Sequence, residues 1–312
     1  MIQVIHCAKR QYVLCIIISH AIINKVFKKL IIFYESEKKM ETTNMNLTGK
    51  ASIDKPWLKY YPEELHNMET PKITLEEFLK MKNPDDSKIA FDYYGNKITW
   101  KTLWEEVDKA AKSLKVLGFR DGNRLPMFLP STPAHYIILL AAERIGTAII
   151  CRDDIPEELC FAIRKSKSDT AFVMDYTSKE DEQLFRETTP MTRMIKVSPY
   201  CYADKASVPD YVEKEISSRY VNPTDSTEGV LTWDEFMALG ENYTEDYRAE
   251  RNPDRAVFGA YTSGSTGISK LVIHSSSNMV AVAFQMSIFI PPSPVQERWW
   301  LPILPPALIA VT

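Results

Sequence analysis

Cysteine is scarce in this sequence, and neither basic nor acidic residues form a long continuous block. The chain has five cysteines among 312 residues, irregularly spaced and without a C-x-x-C pair. Such an odd, scattered set encodes neither a disulfide framework nor a zinc site. The formal net charge is -3, from 38 Lys and Arg against 41 Asp and Glu. We therefore expect neither nucleic acid nor an anionic membrane surface as the main partner.

The apolar run near the N-terminus, residues 12–24, is too short for a membrane span. A spanning helix needs about 20 apolar residues. The run has the basic start and apolar middle of a signal peptide, but no clear small-x-small cleavage site follows it. Cys151 and Cys160 lie in apolar surroundings, which favours buried thiols in a reducing compartment. We expect a cytoplasmic protein with no integral membrane partner.

The first forty residues differ in character from the rest of the chain. We favour the interpretation that translation begins at Met40 or Met45 and that the preceding stretch is not native. The sequence thus predicts an atypical extension over residues 1–44 and a domain over residues 45–312.

Apolar spacing from residue 73 onward alternates between the periods of helices and strands. Capping boxes at Thr74 and Thr232 predict two further helix starts, and the polar stretch 204–228 predicts a surface excursion. Gly95-Asn96 predicts a two-residue hairpin turn with glycine at its first central position. The alternation predicts an α/β fold, with helices packed on mainly parallel sheets. Strands are predicted at residues 89–94, 97–100, 125–129, 147–151, 170–174, 193–197 and 256–261, and helices at residues 103–117, 134–145 and 156–166.

Residues 261–270 form the segment that says most about chemistry. The segment follows the apolar stretch 256–260 and combines two glycines, several hydroxyl side chains and one lysine. Glycine turns backbone N–H groups inward and lets a phosphate approach closely. Hydroxyl groups donate to phosphate oxygens, and lysine supplies a compact positive charge. The candidate nucleotide-binding residues are Thr262, Ser263, Gly264, Ser265, Thr266, Gly267 and Lys270.

Two common phosphate-binding motifs do not fit this segment. A Walker A loop requires G-x-x-x-x-G-K-[ST], and the G-x-G-x-x-G fingerprint of dinucleotide-binding proteins is also absent. A flexible Ser/Gly surface loop is the other interpretation. The flanking strands and the terminal lysine favour a phosphate site.

The segment resembles the signature loop of the adenylate-forming superfamily. This superfamily of AMP-dependent synthetases and ligases includes acyl-CoA synthetases, luciferases and the adenylation domains of peptide synthetases. Its pattern is aromatic-Thr-Ser-Gly-(Ser/Thr)-Thr-Gly-x-Pro-Lys-Gly, which residues 261–267 and Lys270 match. Ser269 replaces the usual proline and Leu271 the usual glycine. The resemblance extends over roughly residues 58–306 and implies part of the large N-terminal domain of such an enzyme.

The resemblance implies a reaction and its co-substrates. MgATP and a carboxylic acid would give an acyl-adenylate and pyrophosphate, and a thiol, usually coenzyme A, would then take the acyl group. Thr262 would also help to bind Mg²⁺. The family's catalytic lysine lies in a later domain, so we expect an N-terminal fragment and assign no catalytic residue. We expect the isolated chain to lack adenylation activity, which carboxylate-dependent ATP–pyrophosphate exchange would refute.

Two alternatives remain at this point: a nucleotide-binding remnant without catalysis, and the adenylation domain of a peptide synthetase. The sequence identifies neither the acid nor the oligomeric state. Arg144, Arg152 and Lys196 are predicted to be surface residues away from the loop, and His274 a packing or capping residue. A Leu-Pro segment at residues 299–306 lies either beside an acyl pocket or at the end of a buried strand.

Overall fold

The computed structural model describes residues 48–152, 156–223, 225, 227–262 and 269–289. Contacts divide the chain into two compact units, Met1–Met68 and Glu69–Thr312. The described part of the first unit holds helix α1 (Ala51–Asp54) and two 3₁₀ turns, Leu58–Tyr60 and Glu63–Leu65. The predicted extension over residues 1–44 and the Leu-Pro segment at 299–306 both lie outside the described residues.

The second unit alternates helices with short strands. Its helices are α2 (Leu75–Lys82), α3 (Trp100–Val116), α4 (Pro133–Arg144), α5 (Pro156–Ser166), α6 (Lys179–Thr188), α7 (Asp210–Ser217), α8 (Trp233–Ala238) and α9 (Ser276–Phe289). Its strands are β1 (Ile89–Tyr93), β2 (Asn96–Thr99), β3 (Arg124–Pro126), β4 (Ala148–Cys151), β5 (Thr170–Met174), β6 (Arg193–Val197), β7 (Val230–Thr232), β8 (Ala256–Tyr261) and β9 (Leu271–Ser275).

Most strand pairs are parallel. One sheet has the order β3-β4-β8-β9, with only the β8–β9 pair antiparallel, and another has the order β5-β6-β7, all parallel. A parallel bridge between Met127 and Phe172 connects these two sheets. Strands β1 and β2 form a separate antiparallel hairpin. The α/β class with mainly parallel sheets is thereby confirmed.

The core lies on both faces of the central strands. All four residues of β4 are buried, as expected for a parallel strand covered by helices on both faces. Phe172 on β5 is fully buried, and its ring meets Phe236 of α8 edge to face at 5.0 Å. Burying a side chain of this size contributes roughly 2–3 kcal/mol.

Local signals located the helix starts well. Thr74 and Thr232 each cap a helix in a complete capping box, as the sequence predicts. The hairpin turn lies one residue earlier than predicted. Tyr93 pairs with Asn96, so the turn residues are Tyr94 and Gly95, both with positive φ. Glycine therefore occupies the second central position of the turn. Positive φ at both central positions is the geometry of a type I′ turn.

Several elements were not predicted, among them two charged helices. Helix α7 lies inside the stretch 204–228 that was predicted to be irregular, and helix α6 was not predicted at all. Both are rich in charged residues and contain few apolar ones, so few apolar positions were available to predict them. Strand β3 is also shorter than the predicted 125–129 and stops at Pro126.

Two further observations concern apolar and sulfur-containing segments. Cys151 and Cys160 are buried and have free thiols, which confirms the apolar surroundings predicted for them. Within the part of the chain that the structure describes, no helix has the length and apolarity that crossing a membrane requires.

Candidate nucleotide-binding site

The candidate segment connects β8 to β9 at one edge of the central sheet. Tyr261 ends β8 and pairs with Leu271 at the start of β9. Strand β4 runs parallel to β8, with Cys151 opposite Ala260, so both strands end at this edge. Carboxyl ends of parallel strands are the usual place for ligand sites in such sheets. Five predicted residues, Ser263, Gly264, Ser265, Thr266 and Gly267, lie outside the described residues.

Thr262 and Lys270 form the stem of this connection. The Thr262 N–H donates to the Lys270 carbonyl oxygen at 2.9 Å, and the Lys270 N–H donates to Thr262 Oγ1 at 3.1 Å. The first bond continues the backbone ladder between β8 and β9 by one residue pair. The second bond closes the same pair through the Thr262 side chain. The stem therefore holds the two predicted phosphate-binding residues next to each other.

Ser269 adds a second connection to the stem. Its hydroxyl donates to the Thr262 carbonyl oxygen in a short hydrogen bond, and it accepts a hydrogen bond of 2.6 Å from Arg152 Nη1. A proline at this position could form neither bond because it has no side-chain hydroxyl. The serine that replaces the usual proline of the signature pattern thus forms two hydrogen bonds that proline could not form.

Arg152 was predicted to be a surface residue away from the loop, and that prediction is wrong. The residue directly follows β4, and its side chain is only 9% exposed. Besides Ser269, it forms an ion pair with Glu158 in the first turn of α5. Sequence spacing could not place Arg152 here, because β4 and β8 are far apart along the chain. The available signal was an arginine at the end of a fully apolar strand.

Tyr261 lies between Arg152 and an aromatic ring of α5. The Arg152 guanidinium is 4.8 Å from the centre of the Tyr261 ring, and Phe161 meets that ring edge to face at 5.6 Å. Burial raises the pKa of the Tyr261 hydroxyl, and the charges of Arg152 and Arg124 offset part of that rise. The aromatic residue of the motif therefore anchors the stem in the protein interior.

The other residues considered in the sequence lie elsewhere. Arg144 was also predicted to be a surface residue, but it is buried and forms an ion pair with Glu76. Lys196 lies on β6 and is half-buried. His274 pairs with Phe258 across the β8–β9 hairpin, with ring centres 6.3 Å apart, which agrees with a packing role.

Thr262 has the chemistry of a single magnesium ligand. Its Oγ1 accepts one hydrogen bond, from Lys270, and retains a second lone pair. Mg²⁺ prefers oxygen ligands and commonly takes several of them from phosphates and water. Among the described residues, no three His, Cys, Asp or Glu side chains gather as a metal site. Thr262 would therefore fit as one ligand beside phosphate and water oxygens.

Comparison with known proteins identifies the family. The sequence profile described as "AMP-binding enzyme" matches residues 80–310, which include the complete candidate segment. The chain belongs to the AMP-binding enzyme family. The resemblance of residues 261–270 to the signature loop of adenylate-forming, AMP-dependent enzymes is thereby confirmed as a family relationship.

Relatives of this AMP-binding enzyme include acetyl-coenzyme A synthetases. The protein of that name from Marinomonas sp. is 29% identical over 210 residues, which cover 63% of this chain and 30% of the relative. The protein of that name from Drosophila melanogaster is 27% identical over 206 residues, covering 62% and 29%. The chain thus spans about a third of the length of the relatives that it matches.

A solved structure confirms the fold of this AMP-binding enzyme. Acetoacetyl-CoA synthetase from Streptomyces lividans aligns with a TM-score of 0.51 at 19% identity. The alignment covers 69% of this chain and 32% of that chain. At this identity the likeness establishes the arrangement of helices and strands and leaves the substrate to other evidence.

Proposed function

We propose that this chain binds MgATP at the Thr262–Lys270 stem and belongs to an enzyme that activates a carboxylic acid as its acyl-adenylate, with coenzyme A as the acceptor of the acyl group; the chain by itself is expected to lack that activity. The observation that supports the proposal most is the hydrogen-bonded stem, which joins Thr262 to Lys270 within a segment that matches the family signature. The acetyl-coenzyme A synthetase relatives support an acyl group and a thiol acceptor. A cytoplasmic location remains a prediction.

The proposed reaction divides the work among groups of the segment. A carboxylate oxygen attacks the α-phosphorus of ATP, and pyrophosphate leaves with the negative charge. Lys270 is exposed beside the stem and would bind the β- and γ-phosphates, which offsets that charge. Hydroxyl groups and backbone N–H groups of residues 263–267 would donate to the same oxygens. Mg²⁺ would supply further charge neutralisation, with Thr262 as one ligand.

Equilibrium dialysis of the full chain tests the nucleotide site. We expect MgATP to bind more tightly than adenosine, because the contacts proposed are to phosphates. Lys270→Met removes the charge and should weaken MgATP binding by at least about tenfold. Lys101→Met, an exposed lysine on α3, is the matched control and should leave binding unchanged. Equal affinity for adenosine and MgATP would contradict a phosphate site here.

Stable mimics of the acyl-adenylate test the acid-activating half. In 5′-O-(N-acylsulfamoyl)adenosines, a sulfamate replaces the reactive phosphate, so binding is measured without turnover. An enzyme of the proposed type should bind one acyl mimic at least about a hundredfold more tightly than AMP. The panel includes acetyl, acetoacetyl and aminoacyl groups. Preference for an aminoacyl mimic would favour a peptide-synthetase adenylation domain, and no preference over AMP would favour a binding remnant.

A further inference from the structure

The contact between Arg152 and Ser269 joins parts of the chain that are distant in sequence. Arg152 follows β4, whereas Ser269 precedes β9, and β8 lies between these two strands in the sheet. The bond from Arg152 Nη1 to Ser269 Oγ is 2.6 Å long and has a charged donor. Charge-assisted hydrogen bonds of this length are among the stronger ones in proteins.

Arg152 is held in place from several sides. Glu158 pairs with its Nη2, the Tyr261 ring lies 4.8 Å from the guanidinium carbon, and the side chain is 9% exposed. Glu158 already neutralises the guanidinium charge. A buried, paired and stacked arginine is suited to fixing a neighbour in position rather than to moving toward a phosphate.

Ser269 passes this constraint on to the stem. Its hydroxyl donates to the carbonyl oxygen of Thr262, and Thr262 exchanges two hydrogen bonds with Lys270. A continuous chain of bonds therefore runs from Arg152 through Ser269 and Thr262 to Lys270. We infer that Arg152 and Ser269 are positioning residues, which hold the Thr262–Lys270 stem closed and thereby place Lys270 for phosphate binding.

This inference has two halves, and only the second rests on the proposed function. The first half is that the Arg152–Ser269 link keeps the stem closed in the absence of nucleotide. Hydrogen exchange of the full chain, read on peptides that contain the Thr262 and Lys270 amides, tests it directly. Arg152→Met and Ser269→Ala should each speed exchange at these amides about tenfold. Ser269→Thr keeps the hydroxyl and should exchange at the wild-type rate.

The second half is tested by ligand affinity. Arg152→Met and Ser269→Ala should each weaken MgATP binding about tenfold while adenosine binding remains unchanged. Because both variants break the same chain of hydrogen bonds, the double variant should bind MgATP no more weakly than the weaker-binding single variant. Arg164→Met, an arginine of α5 that binds the Thr188 carbonyl, is the matched control and should change neither ligand's affinity.

The outcomes separate the two proposals. Unchanged exchange at the stem in both variants would overturn the link, even if the wild type binds MgATP. A wild type that binds no MgATP would overturn the proposed function, while the exchange experiment still decides the link. Two results would overturn the positioning role. One is a loss of MgATP affinity in the double variant equal to the product of the two single losses. The other is a loss of adenosine affinity as large as the loss of MgATP affinity. Arg152→Lys replaces Arg152→Met if that variant fails to fold. The lysine keeps a positive charge for Glu158 but cannot also reach Ser269, so exchange at the Thr262 and Lys270 amides should be about tenfold faster than in the wild type.

Discussion

Arg144 forms a two-pronged ion pair with Glu76, joining the end of helix α4 to the first turn of helix α2. Its Nε lies 2.6 Å from one carboxylate oxygen and its Nη2 lies 3.0 Å from the other. The arginine side chain is 3% exposed and the glutamate 10%. Burial raises the pKa of Glu76, but hydrogen bonds and charges from Arg144 and Lys80 outweigh it and lower the pKa overall.

Removing Arg144 should destabilise the fold strongly. Arg144→Met removes both guanidinium hydrogen bonds to Glu76 and leaves its buried carboxylate with weaker ionic partners. Breaking a buried pair in this way costs about 3–5 kcal/mol. Urea unfolding of the full chain measures the loss. Arg219→Met removes an exposed ion pair with Glu215 and should leave the free energy of unfolding unchanged within error. Equal effects of both substitutions would contradict the importance of burial.

His135 should make the fold sensitive to acid. Burial lowers its pKa from 6.5 to about 4, and a hydrogen bond with the Leu129 carbonyl offsets this only partly. The unfolded chain therefore takes up a proton below pH 6.5 that the folded chain refuses until about pH 4. Stability is lost as the pH falls through this window, by about 3 kcal/mol from this group.

His135→Gln should remove that part of the acid sensitivity, since glutamine does not titrate. The measurement is urea unfolding at pH 7 and at pH 4.5, comparing the loss between the two values. An unaltered loss in His135→Gln would show that other groups cause the acid sensitivity.

Thr262 should matter most when magnesium is present. Thr262→Val keeps the shape of the side chain but removes the hydroxyl that accepts the Lys270 N–H bond and would bind Mg²⁺. We expect MgATP affinity to fall about tenfold, and affinity for ATP in the presence of a chelator to fall less. Thr262→Ser should bind like the wild type. Equal losses with and without Mg²⁺ would assign Thr262 a role in the stem alone.

Gly229 should tolerate no side chain. It has a φ of +65°, and a Cβ there would overlap the carbonyl oxygen of Thr192. Gly229→Ala should cost about 3 kcal/mol of unfolding free energy, from backbone strain together with the overlap. Gly122, with a φ of +81° and open space around it, isolates the strain, and Gly122→Ala should cost about 1 kcal/mol. Equal costs in urea unfolding would exclude the overlap as a cause.

Local signals predicted much of the fold. Apolar spacing located α3, α4 and α5 to within a few residues, and the two capping boxes gave the starts of α2 and α8. Helices α6 and α7 were missed because charged residues dominate them. The order of the strands could not be predicted, since pairing of β4 with β8 depends on contacts between residues about a hundred positions apart in the chain.

The candidate site divides in the same way. The phosphate chemistry proposed for residues 261–270 follows from glycines, hydroxyl groups and a lysine that are close together in the chain, so the sequence was sufficient to find the segment and its family. Arg152 was missed because strand order brings it beside Ser269, and Glu158 was missed because its contact is with Arg152. Arg152 lies beside the segment because β4 pairs with β8, and local sequence does not specify that pairing.

The sequence by itself determined the family to which this protein belongs, because the signature residues 261–270 are contiguous and their types match the family pattern without reference to the fold. Tertiary structure decided how that segment is supported. Parallel pairing of β4 with β8 brings Arg152 beside Ser269, and burial then makes a hydrogen bond between them strong enough to hold the stem. No local pattern specifies such a contact, since it depends on strand order.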